Sequence, residues 1–157
     1  MNTFAAKKLG EVLAFNRIGE DTVASAKATL DSALGGEQLA DMADKFRMHG
    51  EEILRIATDA GVVDTTLAQS AEDEQKLKAM RTDYTGDHFS EATEVFEWLG
   101  FFHGALIAHW ALLRGVAQGM EHDGLLMLSE EGVNWNYEML ESAESELESR
   151  GQDRATA

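Results

Sequence analysis

Apolar residues recur along the chain in steps of three and four positions, the spacing that places side chains on one face of an α-helix. The clearest example covers residues 87–118, where these steps continue without interruption. Its seam comprises Phe89, Ala92, Phe96, Leu99, His103, Leu106, Trp110, Leu113 and Ala117. The same spacing predicts helices over residues 3–34, 37–60 and 120–150. No segment has the alternation of a convincing strand, so the pattern predicts an all-α protein.

Glycines mark the ends of these helices. Gly35 and Gly36 lie between the first and second predicted helices, and Gly61 follows the second. Gly119 lies between the third and the fourth. Glycine readily adopts the left-handed backbone that often ends a helix, and such short turns join antiparallel neighbours. The four helices are therefore predicted to form two antiparallel hairpins.

The segment between the two hairpins has a different character. Residues 61–86 are polar and rich in Glu, Gln and Lys, and they predict a crossover that contains a short helix at about 66–81. Two hairpins joined by one long crossover predict an antiparallel four-helix bundle. We expect residues 1–150 to form this single domain and residues 151–157 to be a disordered tail.

Composition supports one folded domain and excludes several kinds of chemistry. The chain has 157 residues, of which 44% are hydrophobic, and this is enough to bury a core. It contains no proline, in keeping with helices that have no interior break. It also contains no cysteine, which excludes disulfides, thiol catalysis and sulfur ligands for a metal. Neither a nucleophile elbow nor a glycine-rich phosphate loop is present.

Charge and hydropathy narrow the range of partners. The chain has 29 acidic and 13 basic residues and a formal net charge of -16 at pH 7. Nucleic acids and anionic membranes attract cationic surfaces, so neither is expected as a partner. The most apolar stretch, residues 98–113, contains two histidines and is shorter than a membrane span. No signal segment is recognised, and we expect a cytoplasmic location.

Several polar residues lie on the apolar seams near the middle of their helices. Glu20 lies on the first seam and His103 on the third. His49 lies on the second seam with Glu52 on its flank, and Glu130 lies on the fourth. A polar group inside a helical bundle costs free energy unless a partner satisfies it. These positions therefore indicate a polar site in the middle of the bundle.

Hairpin geometry predicts that these residues share one layer. Folding the first hairpin about its glycines sets Glu20 opposite roughly Glu51, within one turn of the histidine and glutamate of the second seam. Folding the second hairpin sets His103 opposite roughly Trp135, next to Asn134. Carboxylates and imidazoles that converge inside a bundle suit one divalent transition metal ion, such as iron, manganese or zinc. The predicted ligands of this ion are Glu20, His49, Glu52 and His103.

The predicted plan and one stretch of sequence resemble a known family. Residues 43–61, ADKFRMHGEEILRIATDAG, have a histidine in mid-helix and a closing glycine, and residues 126–140 have a matching fourth-helix pattern. In these features the chain resembles the ferritin-like superfamily, which includes rubrerythrin and many small stress-associated bacterial proteins. The resemblance implies a four-helix bundle, and it places Glu20 at the position of the family's first-helix glutamate.

The family's metal-binding motif is only partly present. Its di-iron signature has a glutamate three residues before a histidine on the second and fourth helices, and here those pairs read Phe46 with His49 and Glu131 with Asn134. His103 falls near the family's third-helix glutamate. The resemblance therefore implies a degenerate site that holds one metal ion, with no catalytic residue. The alternative is a metal-free interaction or stress-associated protein, whose polar layer sets helix register and pairing.

The third predicted helix is apolar on more than one face. Trp98, Phe101, Ala105 and Leu112 all lie outside its core seam. A helix that is apolar all round must be covered on every side, and small residues such as Gly104 permit another helix to approach closely. This pattern predicts a homodimer built through the third helix, with two-fold symmetry.

Overall fold

The computed structural model describes all residues 1–157, and it contains helices and no strands. This confirms the all-α prediction. The six helices in chain order are α1 (Thr3–Ser25), α2 (Lys27–Leu34), α3 (Gly36–Asp59), α4 (Val63–Thr85), α5 (Ala92–Gly119) and α6 (Asp123–Thr156). The single helix predicted over residues 3–34 is thus two helices, which meet at Ala26.

The glycine turns lie close to where the sequence predicts them. Gly35, Gly61 and Gly86 have φ angles of 78°, 68° and 60°, in the left-handed region that an L-residue rarely adopts. They follow α2, α3 and α4, respectively. The turn after α5 differs, because its left-handed residue is Glu121, with a φ of 54°, while Gly119 is the last residue of the helix.

The predicted crossover contains a long helix in place of a short one. Helix α4 has 23 residues and packs along α1. The Thr66 hydroxyl donates to a main-chain carbonyl of α1 at 3.1 Å, and a Cβ on Gly10 would lie 2.5 Å from the Thr66 carbonyl oxygen. Farther along, the Arg81 guanidinium donates to Thr22 Oγ1 at 2.9 Å and pairs with Asp21 at 2.8 Å. Close backbone approach and polar contacts hold α4 against α1. Its sequence therefore lacks the apolar stripe by which a packed helix is usually recognised.

Helices α1 and α5 make most of the contacts between helices. Helix α5 packs most extensively against α6 and also contacts α1 and α4, while α1 packs in turn against α3. The largest fully buried side chains include Trp98, Trp110, Phe46, Phe96, Phe102, Leu9 and Leu13. Helices α3 and α6 approach each other at only a few positions. An open cleft therefore lies between these two helices.

The C-terminal segment is helical. We predict a disordered tail for residues 151–157, but α6 continues through Thr156. The residues of α6 beyond Gly151 are exposed, and Arg154 pairs with Glu91 at 3.6 Å. The structure thus has helix through Thr156 where the sequence predicts a disordered tail.

Helix α5 begins at Ala92, later than the start at residue 87 that the sequence predicts. The apolar stretch 98–113 belongs to a helix of 28 residues, which is long and apolar enough to cross a membrane by length and composition. The core helix of a globular protein meets the same criterion. Here Trp98, Leu106 and Trp110 of this helix are fully buried in the core.

Candidate functional site

Two histidines lie in the core where α3, α5 and α6 meet. The exposed fractions of His49 and His103 are 2% and 0%. Both rings contact the Trp135 indole, with ring centroids 5.6 Å and 5.9 Å away, respectively. The His49 ring also meets Trp110 edge-on at 5.4 Å. The histidines are therefore held in an aromatic environment that offers few hydrogen-bond partners.

His103 has one hydrogen bond, which determines its tautomer. Its Nδ1 lies 2.7 Å from Asn136 Oδ1. Because Asn136 Nδ2 donates to the Gly132 carbonyl at 2.8 Å, the Asn136 oxygen is the acceptor and His103 Nδ1 is the donor. Its Nε2 has no partner. Burial lowers the pKa of His103 to about 4, although the hydrogen bond to Asn136 favours the protonated form. His103 is therefore neutral at neutral pH.

His49 is the more exceptional of the two, because neither ring nitrogen has a hydrogen-bond partner. Its Nε2 lies 3.5 Å from Glu131 Oε1 on α6, too far for a well-formed hydrogen bond. Burial lowers the pKa of His49, and the nearby Glu131 carboxylate opposes that shift. A buried polar group without a partner costs roughly 1–3 kcal/mol, so these nitrogens indicate a place for a ligand.

The cleft between α3 and α6 exposes His49 to carboxylates from both helices. A cavity of about 470 Å³ is lined by His49, Glu52 and Glu131, among other residues. A larger cavity of about 780 Å³ shares Glu52 and Glu131 with it and extends to Trp135 and Glu138. The two cavities are therefore neighbours, and the imidazole of His49 lines the smaller one.

Each of the two shared carboxylates is ionised and bound to a cation. Lys45 Nζ lies 2.7 Å from Glu131 Oε1, and this contact holds the pKa of Glu131 below its ordinary value. Arg55 donates to both carboxylate oxygens of Glu52, at 2.8 Å and 2.5 Å. This contact lowers the pKa of Glu52. Both glutamates are therefore ionised at neutral pH, and each is paired with a cation.

The four ligands predicted from the sequence do not lie in one cluster. His49 and Glu52 line the same cavity. Glu20 lines a separate cavity of about 120 Å³ between α1 and α3, together with Glu51. His103 lies in the core, where its Nδ1 is hydrogen-bonded to Asn136. No three His, Asp or Glu side chains in the chain are already arranged to hold a metal ion. Metal binding therefore stays a prediction.

The contact between Glu131 and His49 is not among the sequence predictions. Apolar spacing favours Glu130 as the seam residue of the fourth helix, but Glu130 and Glu131 are both exposed and both line the larger cavity. Glu131 lies beside the imidazole of His49. The signal in the sequence is the ferritin-like resemblance alone, which implies that Glu131 would stand at the position of the motif glutamate. Asn136, the partner of His103, has no comparable signal in the sequence.

Comparison of the chain with models of protein families, with curated proteins and with solved structures finds no match.

Proposed function

We propose that the protein binds one divalent transition metal ion in the cleft between α3 and α6. The observation that carries this proposal is the buried, unpartnered imidazole of His49, whose Nε2 lies 3.5 Å from the ionised carboxylate of Glu131. Imidazole and carboxylate together suit iron, manganese and zinc. The absence of cysteine leaves these as the strong ligand types of the chain.

Glu52 is the third proposed ligand. It follows His49 by three residues on α3, a spacing that places both side chains on one helix face. Both line the same cavity, and Glu131 reaches that cavity from α6. To join the other two ligands, the Glu52 side chain would have to leave Arg55. The proposed set therefore retains two of the predicted ligands and replaces Glu20 and His103 by Glu131.

The proposal is also compatible with the ferritin-like resemblance. His49 and Glu131 are the two residues at which this chain keeps the family's motif, a histidine on one helix and a glutamate on another. Their side chains are neighbours across the α3–α6 cleft. We propose accordingly that α1, α3, α5 and α6 correspond to the four bundle helices and that α4 is the crossover. One histidine and two carboxylates suit binding of a single ion, without a catalytic role.

Replacing His49 with alanine is expected to weaken Mn²⁺ or Zn²⁺ binding by about a hundredfold or more, because it removes the only nitrogen ligand. Isothermal titration of metal-free protein would measure the affinity, and elemental analysis would give the stoichiometry. The matched control is His88→Ala, since His88 is exposed and distant in sequence. Equal affinities for the two variants, or a wild-type protein that binds no stoichiometric metal, would contradict the proposal.

A metal-free structural function is the second candidate. It is favoured by the fully buried hydrogen bond between His103 and Asn136, which joins α5 to α6. A buried polar pair of this kind disfavours shifted helix registers, because a shift leaves both groups without partners. If this is the whole function of the polar layer, the thermal stability of the protein is the same in EDTA and in excess Mn²⁺.

We propose, in addition, that two copies of the chain associate through α5. Phe101 and Leu112 are 40% and 44% exposed on this helix, and a Cβ on Gly104 or Gly115 would meet no other atom. Residues 98–113 contain no Asp, Glu, Lys or Arg, whereas the whole chain has a net charge of -16. Two such chains repel each other least where their surfaces carry no charge. This favours a second copy over other occupants of the surface.

Changing Leu112 to glutamate is expected to shift the monomer–dimer equilibrium toward monomer by at least about tenfold, because a carboxylate would be buried between two copies. Sedimentation equilibrium at micromolar concentration measures the effect. Leu67→Glu on α4 is the matched control, since Leu67 is similarly exposed and acquires the same charge. A wild-type chain that sediments as a monomer would disprove the dimer.

A further inference from the structure

Both acidic ligands of the proposed metal site are bound by cations from α3. Lys45 Nζ lies 2.7 Å from Glu131 Oε1, and the same oxygen lies 3.5 Å from Nε2 of His49. The lysine ammonium therefore occupies the carboxylate oxygen that faces the imidazole. A metal ion bound by His49 and by this oxygen of Glu131 would compete with the ammonium for it.

The second carboxylate is held in the same way. Arg55 donates through Nε to one oxygen of Glu52 and through its second nitrogen to the other. Its remaining nitrogen donates to Asp59 at 2.7 Å. A two-pronged contact of this kind engages both oxygens of Glu52, so another cation must compete with Arg55 for them.

Resting on the proposed function, we propose that Lys45 and Arg55 are internal counter-ions of the metal site, which a divalent cation must displace from Glu131 and Glu52 in order to bind. The two ligand carboxylates lie on the rim of a cavity that contains a buried imidazole, and their negative charges repel each other when no cation is present. The two α3 cations balance these charges in the metal-free protein.

A divalent ion has two advantages over the internal cations. Its charge is twice that of an ammonium, and it accepts a lone pair from His49 Nε2, which an ammonium cannot do. A monovalent cation lacks the first advantage. A cation must therefore bind the two carboxylates more strongly than Lys45 and Arg55 do. This condition excludes monovalent ions and admits divalent transition metals.

The Lys45–Glu131 pair also joins two helices that have few other contacts. A metal ion bound by His49 on α3 and by Glu131 on α6 would take over this connection. Binding is then an exchange of one bridge between the helices for another, and the α3–α6 distance need not change. The ammonium of Lys45 is released toward solvent in the exchange.

Lys45→Met tests the inference directly. The variant keeps a long, unbranched side chain but removes the competing charge, and we expect Mn²⁺ to bind about fivefold more tightly than to wild type. Lys27→Met is the control, because Lys27 is an exposed lysine of α2 whose loss changes the net charge equally. Its effect on affinity is expected to be below about twofold. Arg55→Met is the second variant, with tighter binding expected for the same reason.

Titration calorimetry with Mn²⁺ separates this inference from the proposed function. Tighter binding by Lys45→Met and Arg55→Met, but not by Lys27→Met, supports the inference. If wild type binds one Mn²⁺ through His49 and Lys45→Met has the same affinity as Lys27→Met, the inference fails and the metal site stands. If neither wild type nor any variant binds Mn²⁺, zinc or iron, the metal site and the inference fail together.

Discussion

Acidification from pH 7 to pH 4 is expected to lower the free energy of unfolding by about 3 kcal/mol through His103 alone. In the folded protein burial lowers the pKa of His103 to about 4, whereas the unfolded chain protonates this residue near its ordinary pKa of 6.5. Between these two values the unfolded state binds one more proton than the folded state. Stability therefore rises with pH across this window and is lost as the pH falls through it.

A His103→Gln variant separates this effect from the many carboxylates of the chain. Glutamine can donate to Asn136 but does not titrate, so the variant should lose about 3 kcal/mol less than wild type between pH 7 and pH 4 in urea unfolding experiments. The ring resonances of His103 should also show a neutral imidazole down to about pH 4. Titration of the His103 ring near pH 6.5 in the folded protein would show that the expectation is wrong.

Replacing Gly132 with alanine is expected to destabilise the protein by about 2 kcal/mol. A Cβ on Gly132 would overlap the indole of Trp110, which lies flat against this part of α6 and is fully buried. The ring cannot move without disturbing the core, and overpacking of this kind costs roughly 1–3 kcal/mol. We expect the cost of overpacking to lie in the upper part of that range. The better helix propensity of alanine reduces the net loss of stability to about 2 kcal/mol.

Gly151→Ala is the matched control for this substitution. Gly151 lies in the same helix, and a Cβ there would meet no other atom. Its replacement should leave stability unchanged or raise it by up to about 1 kcal/mol. Urea unfolding of both variants at pH 7 measures the difference. If Gly132→Ala is as stable as Gly151→Ala, the close contact between α6 and Trp110 is not a feature of the folded protein.

Much of the helix register follows from the sequence. Folding the hairpins about their glycines predicts that Glu20 lies opposite Glu51 and that His103 lies opposite Trp135. In the structure Glu20 and Glu51 line one cavity, and the rings of His103 and Trp135 are 5.9 Å apart. A regular helix rises by a constant amount per residue, so a short turn determines which residues face each other. The positions of the glycines in the sequence indicate the length of the turn.

The composition of the candidate site is less predictable. Glu130 and Glu131 differ by about 100° around the helix axis and are both exposed; the seam pattern favours Glu130, but Glu131 is the residue that lies beside His49. Glu52 was predicted as a free ligand, but Arg55 one turn later binds it. The sequence places Glu52 and Arg55 on one helix face. It contains no information on which partner an exposed carboxylate such as Glu52 binds.

Three properties of this protein can be predicted from its sequence: it is helical, most helices end near glycines, and certain residues lie opposite each other within a hairpin. These properties depend on local periodicity and on glycine conformation, which residues close in sequence control. Three other features are visible in the folded structure alone: α4 is a long helix that packs on α1, Glu131 lies beside His49, and a cleft separates α3 from α6. Those features depend on the packing of helices from different parts of the chain, because close approach at Gly10 and the rotation of α6 about its axis are set by contacts between helices.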